Sequence, residues 1–141
     1  MTPLIDNYHS SLLGLLVILV TAIFQSLVAM KVKASRPGAI PGKIDPQLSH
    51  DSFVFRAHRT FMNTLENTPF MLATGFLAIL SGTDAYWTAV LLWIYAVSRI
   101  LHMILYYAIA TEKNPSPRSF PFLAGFIANL VLAGMVAAQL M

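Results

Sequence analysis

Residues 11–30 contain no charged side chain, and this run constrains the chain more than any other feature. Crossing the hydrocarbon core of a bilayer as a helix takes about 20 mostly apolar residues. Residues 86–110 provide a second such run, interrupted only by Arg99 and His102, and residues 119–140 a third with no charge. The remaining apolar stretch, residues 69–80, is too short to cross alone. Extending it backwards to residue 56 adds Leu65, Met62 and Phe61, but also Glu66, Asn63, Arg59 and Arg56. A fourth span over residues 56–81 therefore places ionisable groups below the membrane surface. The expected fold class is an all-α membrane protein, a bundle of four transmembrane helices forming one domain over residues 1–141. The chain is 57% hydrophobic and 11% charged, against roughly 25% charged in soluble domains.

The connections give an orientation. Residues 31–52 carry Pro37, Gly38, Pro41, Gly42 and Pro46, which break helix. Ser81, Gly82, Thr83 and Asp84 form a tight turn, and Pro115 and Pro117 interrupt the third connection. Lys31, Lys33, Arg36 and Lys43 lie in the first connection and Lys113 and Arg118 in the third; the N-terminus has only Asp6 and the second connection only Asp84. The positive-inside rule then predicts a multi-pass protein with both termini non-cytoplasmic, in a bacterial inner membrane or an endoplasmic reticulum. The first run has no small-residue cleavage site after it and is expected to be a retained helix.

The polar residues of the spans form stripes. At 100° per residue, Arg56, Arg59, Asn63 and Glu66 fall within an arc of about 80°, with Asn67 beside it. Arg99, His102 and Tyr106 repeat the spacing on the third span, with Tyr95 a turn deeper. At 1.5 Å per residue, Glu66 and Arg99 lie roughly 15 and 18 Å from the cytoplasmic ends of their helices. The similar depth predicts facing stripes and a Glu66–Arg99 ion pair. One reading of the cluster is a salt bridge that fixes helix register. The other is a pocket for an anionic ligand, favoured because Arg56, Arg59, Arg118 and Lys31 exceed the acids available and arginine forks suit carboxylates.

The run Arg56-Ala57-His58-Arg59-Thr60-Phe61-Met62-Asn63-Thr64-Leu65-Glu66, followed by Pro69, resembles the signature of the MAPEG family, the membrane-associated proteins in eicosanoid and glutathione metabolism. The set Arg99, His102 and Tyr106, then Pro117-Arg118-Ser119, is similar to the pattern of the microsomal glutathione transferase and prostaglandin E synthase branch. The resemblance implies a homotrimer that binds glutathione between neighbouring subunits near the cytoplasmic side. It implies glutathione contacts at Lys31, Arg56, Arg59, Asn63, Glu66, Arg99, His102 and Tyr106. Arg118 would stabilise the thiolate, with Ser119 beside it as a hydrogen-bond donor. Lys31 stands where relatives often carry arginine, Val54 and Phe55 replace the usual acid before Arg56, and nothing is carried over onto Asp45 or Asp51.

With no cysteine in the chain, disulfides and thiolate metal sites are excluded and a reactive thiol has to arrive with a ligand. The expected function is a glutathione transferase or peroxidase acting on a lipophilic second substrate from the bilayer. The alternative is a non-catalytic lipid- or glutathione-binding protein on the same scaffold. A transporter or channel needs a continuous polar path, which the uncharged first and fourth spans oppose. No nucleic-acid partner or metal site is expected. His9 and His50 read as solvated, and His58 faces away from the Arg59 stripe. Gly125 and Gly134 read as points of close helix approach on the fourth span.

Overall fold

The computed structural model describes residues 3–141, and every regular element among them is a helix. A short α1 (Pro3–Asn7) leads through Tyr8 into α2 (His9–Ala34), followed by α3 (Phe53–Ser81), α4 (Ala85–Ala108) and α5 (Ser119–Leu140). Helices α2, α4 and α5 are long and apolar enough to cross a membrane. Helix α3 is the longest at 29 residues, roughly 44 Å at 1.5 Å per residue, and continues through Pro69. The first polar connection begins later than its lysines suggest, because α2 runs one turn beyond Lys31.

The α3–α4 turn is built by local chemistry. Gly82 takes the left-handed conformation at φ 72°, open to glycine at no steric cost. The Thr83 N–H donates to the Ala78 carbonyl at 3.0 Å. Asp84 caps α4 by accepting from the Trp87 N–H at 2.9 Å. The buried Tyr8 hydroxyl donates to the Thr83 carbonyl, fixing the start of α2 to this turn. Residues 35–52 and 109–118 meet at the opposite end, where His50 contacts Glu112.

The core is narrow. Leu15, Ile18, Met71, Leu92 and Leu132 are almost completely buried. Small residues bring the backbones together around them: a Cβ on Gly14 would lie 3.3 Å from Leu92 Cβ, and one on Gly125 would lie 3.3 Å from Ser98 Cβ. Gly134 has no such neighbour within 4 Å, so the expectation of close approach holds within the subunit for Gly125 alone. Helices packed closely in a membrane need small or hydroxyl side chains at the contact. That need decides how α3 is turned. Its inner face is Ala57, Thr60, Thr64, Thr68, Met71, Gly75 and Ala78, all buried.

The Arg59, Asn63 and Glu66 stripe is therefore displaced to the flank, with Glu66 exposed and Arg59 and Asn63 partly so. Of the two polar stripes expected to meet inside the bundle, the α4 stripe is inside, with Arg99 2% and His102 3% exposed. The α3 stripe lies on its edge. The Gly14 contact gives a direct check. Gly14→Val should destabilise the bundle by about 1–3 kcal/mol through overpacking, whereas Gly134→Ala should leave the midpoint of thermal unfolding in detergent unchanged or slightly raised.

Candidate functional site

Arg99 sits a little over halfway along α4, on the face turned towards α3. Its Nη2 donates to Asn63 Oδ1 at 2.8 Å and to Thr64 Oγ1 at 3.0 Å. Both acceptors are neutral, and the buried Nε has no hydrogen-bond partner among the described residues. The expected Glu66–Arg99 ion pair does not form. Glu66 instead lies 3.6 Å from Arg59 Nη1 on the flank of α3, with both side chains about half exposed. The physical reason is the rotation of α3: the helix offers Asn63 and Thr64 to Arg99 and keeps its carboxylate outside. A buried guanidinium is thus left without a counter-ion, a costly arrangement unless an anion completes it.

The α4 stripe continues one turn at a time towards the loops. The His102 ring packs against Tyr106 at 5.4 Å and Phe122 at 6.4 Å, and its Nδ1 is buried without a partner. The Arg118 guanidinium carbon lies over the Tyr106 ring, 4.0 Å from its centroid, within cation–π range. Arg118 Nη2 donates to the Thr111 carbonyl at 3.0 Å, which holds the group in place, while the buried Nη1 has no partner. Arg99, His102, Tyr106 and Arg118 are therefore brought together along one wall.

Next to Arg118, Ser119 Oγ accepts from the Ser116 N–H at 3.2 Å and lies 3.4 Å from Ser116 Oγ. Lys31 is exposed in the last turn of α2 and has no side-chain partner in the subunit among the described residues.

Beside this wall, α3, α4 and α5 line an open groove of about 350 Å³, with Asn67, Tyr95, Arg99, Phe122, Phe126 and Asn129 among its residues. Asn129 Oδ1 is buried without a partner. Sequence reasoning passed over this residue because a lone amide in an otherwise apolar span has no periodic companion. A larger groove of about 850 Å³ runs along another face of α4, from Tyr86 past Trp93 to Ser98.

Two residues make contacts that sequence spacing does not show. Arg56, expected to contact a ligand, donates from Nη1 to the His50 carbonyl at 2.6 Å and the Asp51 carbonyl at 3.0 Å, and from Nη2 to the Tyr107 carbonyl at 3.3 Å. It fastens the first loop to the end of α4. His50, expected to be solvated, is held on both ring nitrogens. Nδ1 lies 2.8 Å from Glu112 Oε1 and Nε2 lies 3.0 Å from the Tyr106 hydroxyl. The His50 backbone N–H also donates to Glu112 at 3.2 Å. These side-chain and backbone hydrogen bonds, with the charge of Arg118 further off, hold the Glu112 carboxyl below its usual range. No spacing rule links His50 to Glu112, since they lie 62 residues apart.

Arg56→Ala should free residues 46–52 from α4. Loss of hydrogen bonds to a charged group costs about 1.5–3 kcal/mol, so amide exchange in that segment should accelerate roughly tenfold or more while exchange at the centres of α4 and α5 stays slow.

The chain matches none of the curated proteins compared with it. The family model described as MAPEG family matches residues 10–138. That span runs from the start of α2 almost to the end of α5 and includes every residue of the arginine-lined wall, so the chain belongs to the MAPEG family.

Proposed function

We propose that the chain is a glutathione-dependent membrane enzyme, a transferase or peroxidase, that activates the glutathione thiolate against lipophilic electrophiles or hydroperoxides. One observation carries the reading. Arg99 and Arg118 bury guanidinium N–H groups with no carboxylate opposite them among the described residues. Unsatisfied buried donors are expensive, and an anionic ligand with several acceptors removes that cost. Glutathione has two carboxylates, one ammonium, two amides and one thiol. Arg59, Arg99 and Lys31 would take the carboxylates and Glu66 the ammonium, while Asn63, His102 and Tyr106 would hold the amides.

Arg118 would face the thiol. A free thiol has a pKa of about 8.5, and an adjacent cation lowers it. The Tyr106 ring and the Thr111 carbonyl fix Arg118 and leave Nη1 unpartnered for the sulfur. The thiolate would then form a C–S bond to an electron-poor carbon, or be oxidised by a hydroperoxide that is reduced to its alcohol. Ser119 lies close enough to assist, although its oxygen already accepts from Ser116. Arg56 is better assigned to positioning the first loop than to holding the ligand, since its Nη donors are taken by carbonyls.

The flank of α3 supports a homotrimer with the ligand between subunits. Arg59 and Glu66 are about half exposed at a depth where lipid contact costs an ionisable group at least roughly 2.5–3.5 kcal/mol. A neighbouring copy would cover them and bring further contacts, Lys31 being suited to this by its free position at the end of α2. In this arrangement α3 is the fourth span. The basic loops 35–52 and 109–118 would face the cytoplasm and both termini the other side.

Two measurements test the reading. Titrating the detergent-solubilised protein with glutathione should give a saturable ultraviolet thiolate signal near neutral pH. Arg118→Ala should abolish that signal while calorimetric affinity stays within about threefold, or roughly 0.7 kcal/mol. Equal loss of signal and affinity would make Arg118 a binding residue only. Binding without any signal in the native protein would mean a non-catalytic binder. Glu66→Ala should weaken glutathione about tenfold or more, the worth of one charge-assisted hydrogen bond. Unchanged affinity would remove Glu66 from the site.

A further inference from the structure

Glu112, His50 and Tyr106 form a chain of hydrogen bonds from solvent to the arginine-lined wall. Exposure falls steadily along it. The Glu112 side chain is 70% exposed and that of His50 18%, while Tyr106 is 9% exposed. The direction of each hydrogen bond follows from the chemistry of the groups. The Glu112 carboxyl, kept ionised by its contacts with His50, can only accept. Nδ1 of His50 therefore bears the proton, and in a neutral imidazole Nε2 is then an acceptor. With His50 in this neutral form, the Tyr106 hydroxyl donates to Nε2 across 3.0 Å. The lone pairs on the phenol oxygen are thereby left to accept from a third group, and the ring that carries this oxygen is covered on one face by Arg118 at 4.0 Å.

We infer that His50 and Glu112 orient Tyr106 as the acceptor of the thiol proton, in place of the amide contact given to it above, and carry that proton to water. The inference rests on the glutathione reading above. In the step, the S–H bond breaks and its proton moves to the Tyr106 oxygen as the Tyr106 proton moves to His50 Nε2. The electron pair stays on sulfur beside Arg118. The imidazolium so formed is paired with Glu112 and releases a proton to solvent from its exposed side. No oxidant or further reactant is needed.

Arg118 and this relay divide one task. The cation favours the thiolate at equilibrium, and the relay gives the proton a route to solvent; the other imidazole of the wall, His102, is buried against Tyr106 and Phe122. The charged and titratable groups facing His50 come from each element around it. They are Glu112 on the third connection, Tyr106 on α4, Arg56 on α3 through the His50 carbonyl, and Arg118 at the head of α5 beyond Glu112. His50 and Glu112 do not touch the substrate and are positioning residues that act through Tyr106.

Stopped-flow mixing of the full-length protein with glutathione, following thiolate absorbance and proton release together across pH 5–9, separates the outcomes. In His50→Gln and His50→Ala, thiolate formation should slow about 100-fold or more, the usual worth of a placed acid–base group, with glutathione affinity kept within about threefold. The rate should lose its dependence on imidazole ionisation, and added imidazole should restore it in His50→Ala. Glu112→Gln should shift the pH profile of the rate without abolishing it. An unchanged rate and profile in the His50 variants would overturn the relay and leave the glutathione reading standing. Equal losses of rate and affinity with no imidazole rescue would also overturn it, showing that His50 only docks the loop. Absence of a thiolate signal in the native protein would overturn the glutathione reading and the relay together.

Discussion

The buried Arg99 guanidinium, held by two neutral oxygens and no carboxylate, is the constraint around which the rest of the structure is arranged. Asn63 and Thr64 fix its orientation. Neutral acceptors satisfy part of its hydrogen bonding but do nothing for its charge. The subunit therefore carries an electrostatic demand that its own residues do not meet. Arg118 likewise has its Nη2 anchored and its Nη1 without a partner, although its charge is felt by the Glu112 carboxylate. Two anchored cations along one wall, with His102 and Tyr106 between them, make a surface prepared for an anion before any ligand arrives. Such preorganisation lowers the ordering cost of binding.

The position of Arg118 depends in turn on the way the loops are tied. It leans on the Thr111 carbonyl and the Tyr106 ring. Tyr106 is held by His50, His50 by Glu112, and the backbone at His50 and Asp51 by Arg56. An arginine at the start of α3, a histidine in the first loop and a glutamate in the third thus combine to place one guanidinium at the head of α5. Proline and glycine prevent helix in residues 35–52, but this network gives the segment a defined end. Loops carry function well when a rigid scaffold fixes them, and here the fixing is done by charge-assisted hydrogen bonds.

The outer flank of α3 sets a different requirement. Threonine, alanine and glycine occupy its inner face because α2 and α4 approach closely there. Arg59 and Glu66 are consequently turned outward, where each is the other's partner in the subunit. An ion pair in that place is poorly suited to lipid. The buried Thr face and the half-exposed Arg59–Glu66 pair are two results of one helix rotation.

The sequence by itself determined the membrane class, the helical architecture and the residues of the polar stripes, because apolar run length and a 3.6-residue period are local properties. It also carried the family signature, which the match over residues 10–138 places beyond doubt. Arg99, His102 and Tyr106 could be grouped from spacing alone, since one helix holds all three. Which face of α3 turned inward could not be read in that way. The arc of Arg59, Asn63 and Glu66 and the arc of Thr60, Thr64 and Thr68 adjoin on the same helix. Only the closeness of the packed backbones chose between them, and that choice replaced the expected Glu66–Arg99 pair with Arg99 on Asn63 and Thr64. The loop contacts of Arg56, and the place of His50 between Glu112 and Tyr106, escaped the sequence for a related reason. Hydrogen bonds between groups 51 to 62 residues apart have no period in the sequence and come into being only when the chain ends meet in three dimensions.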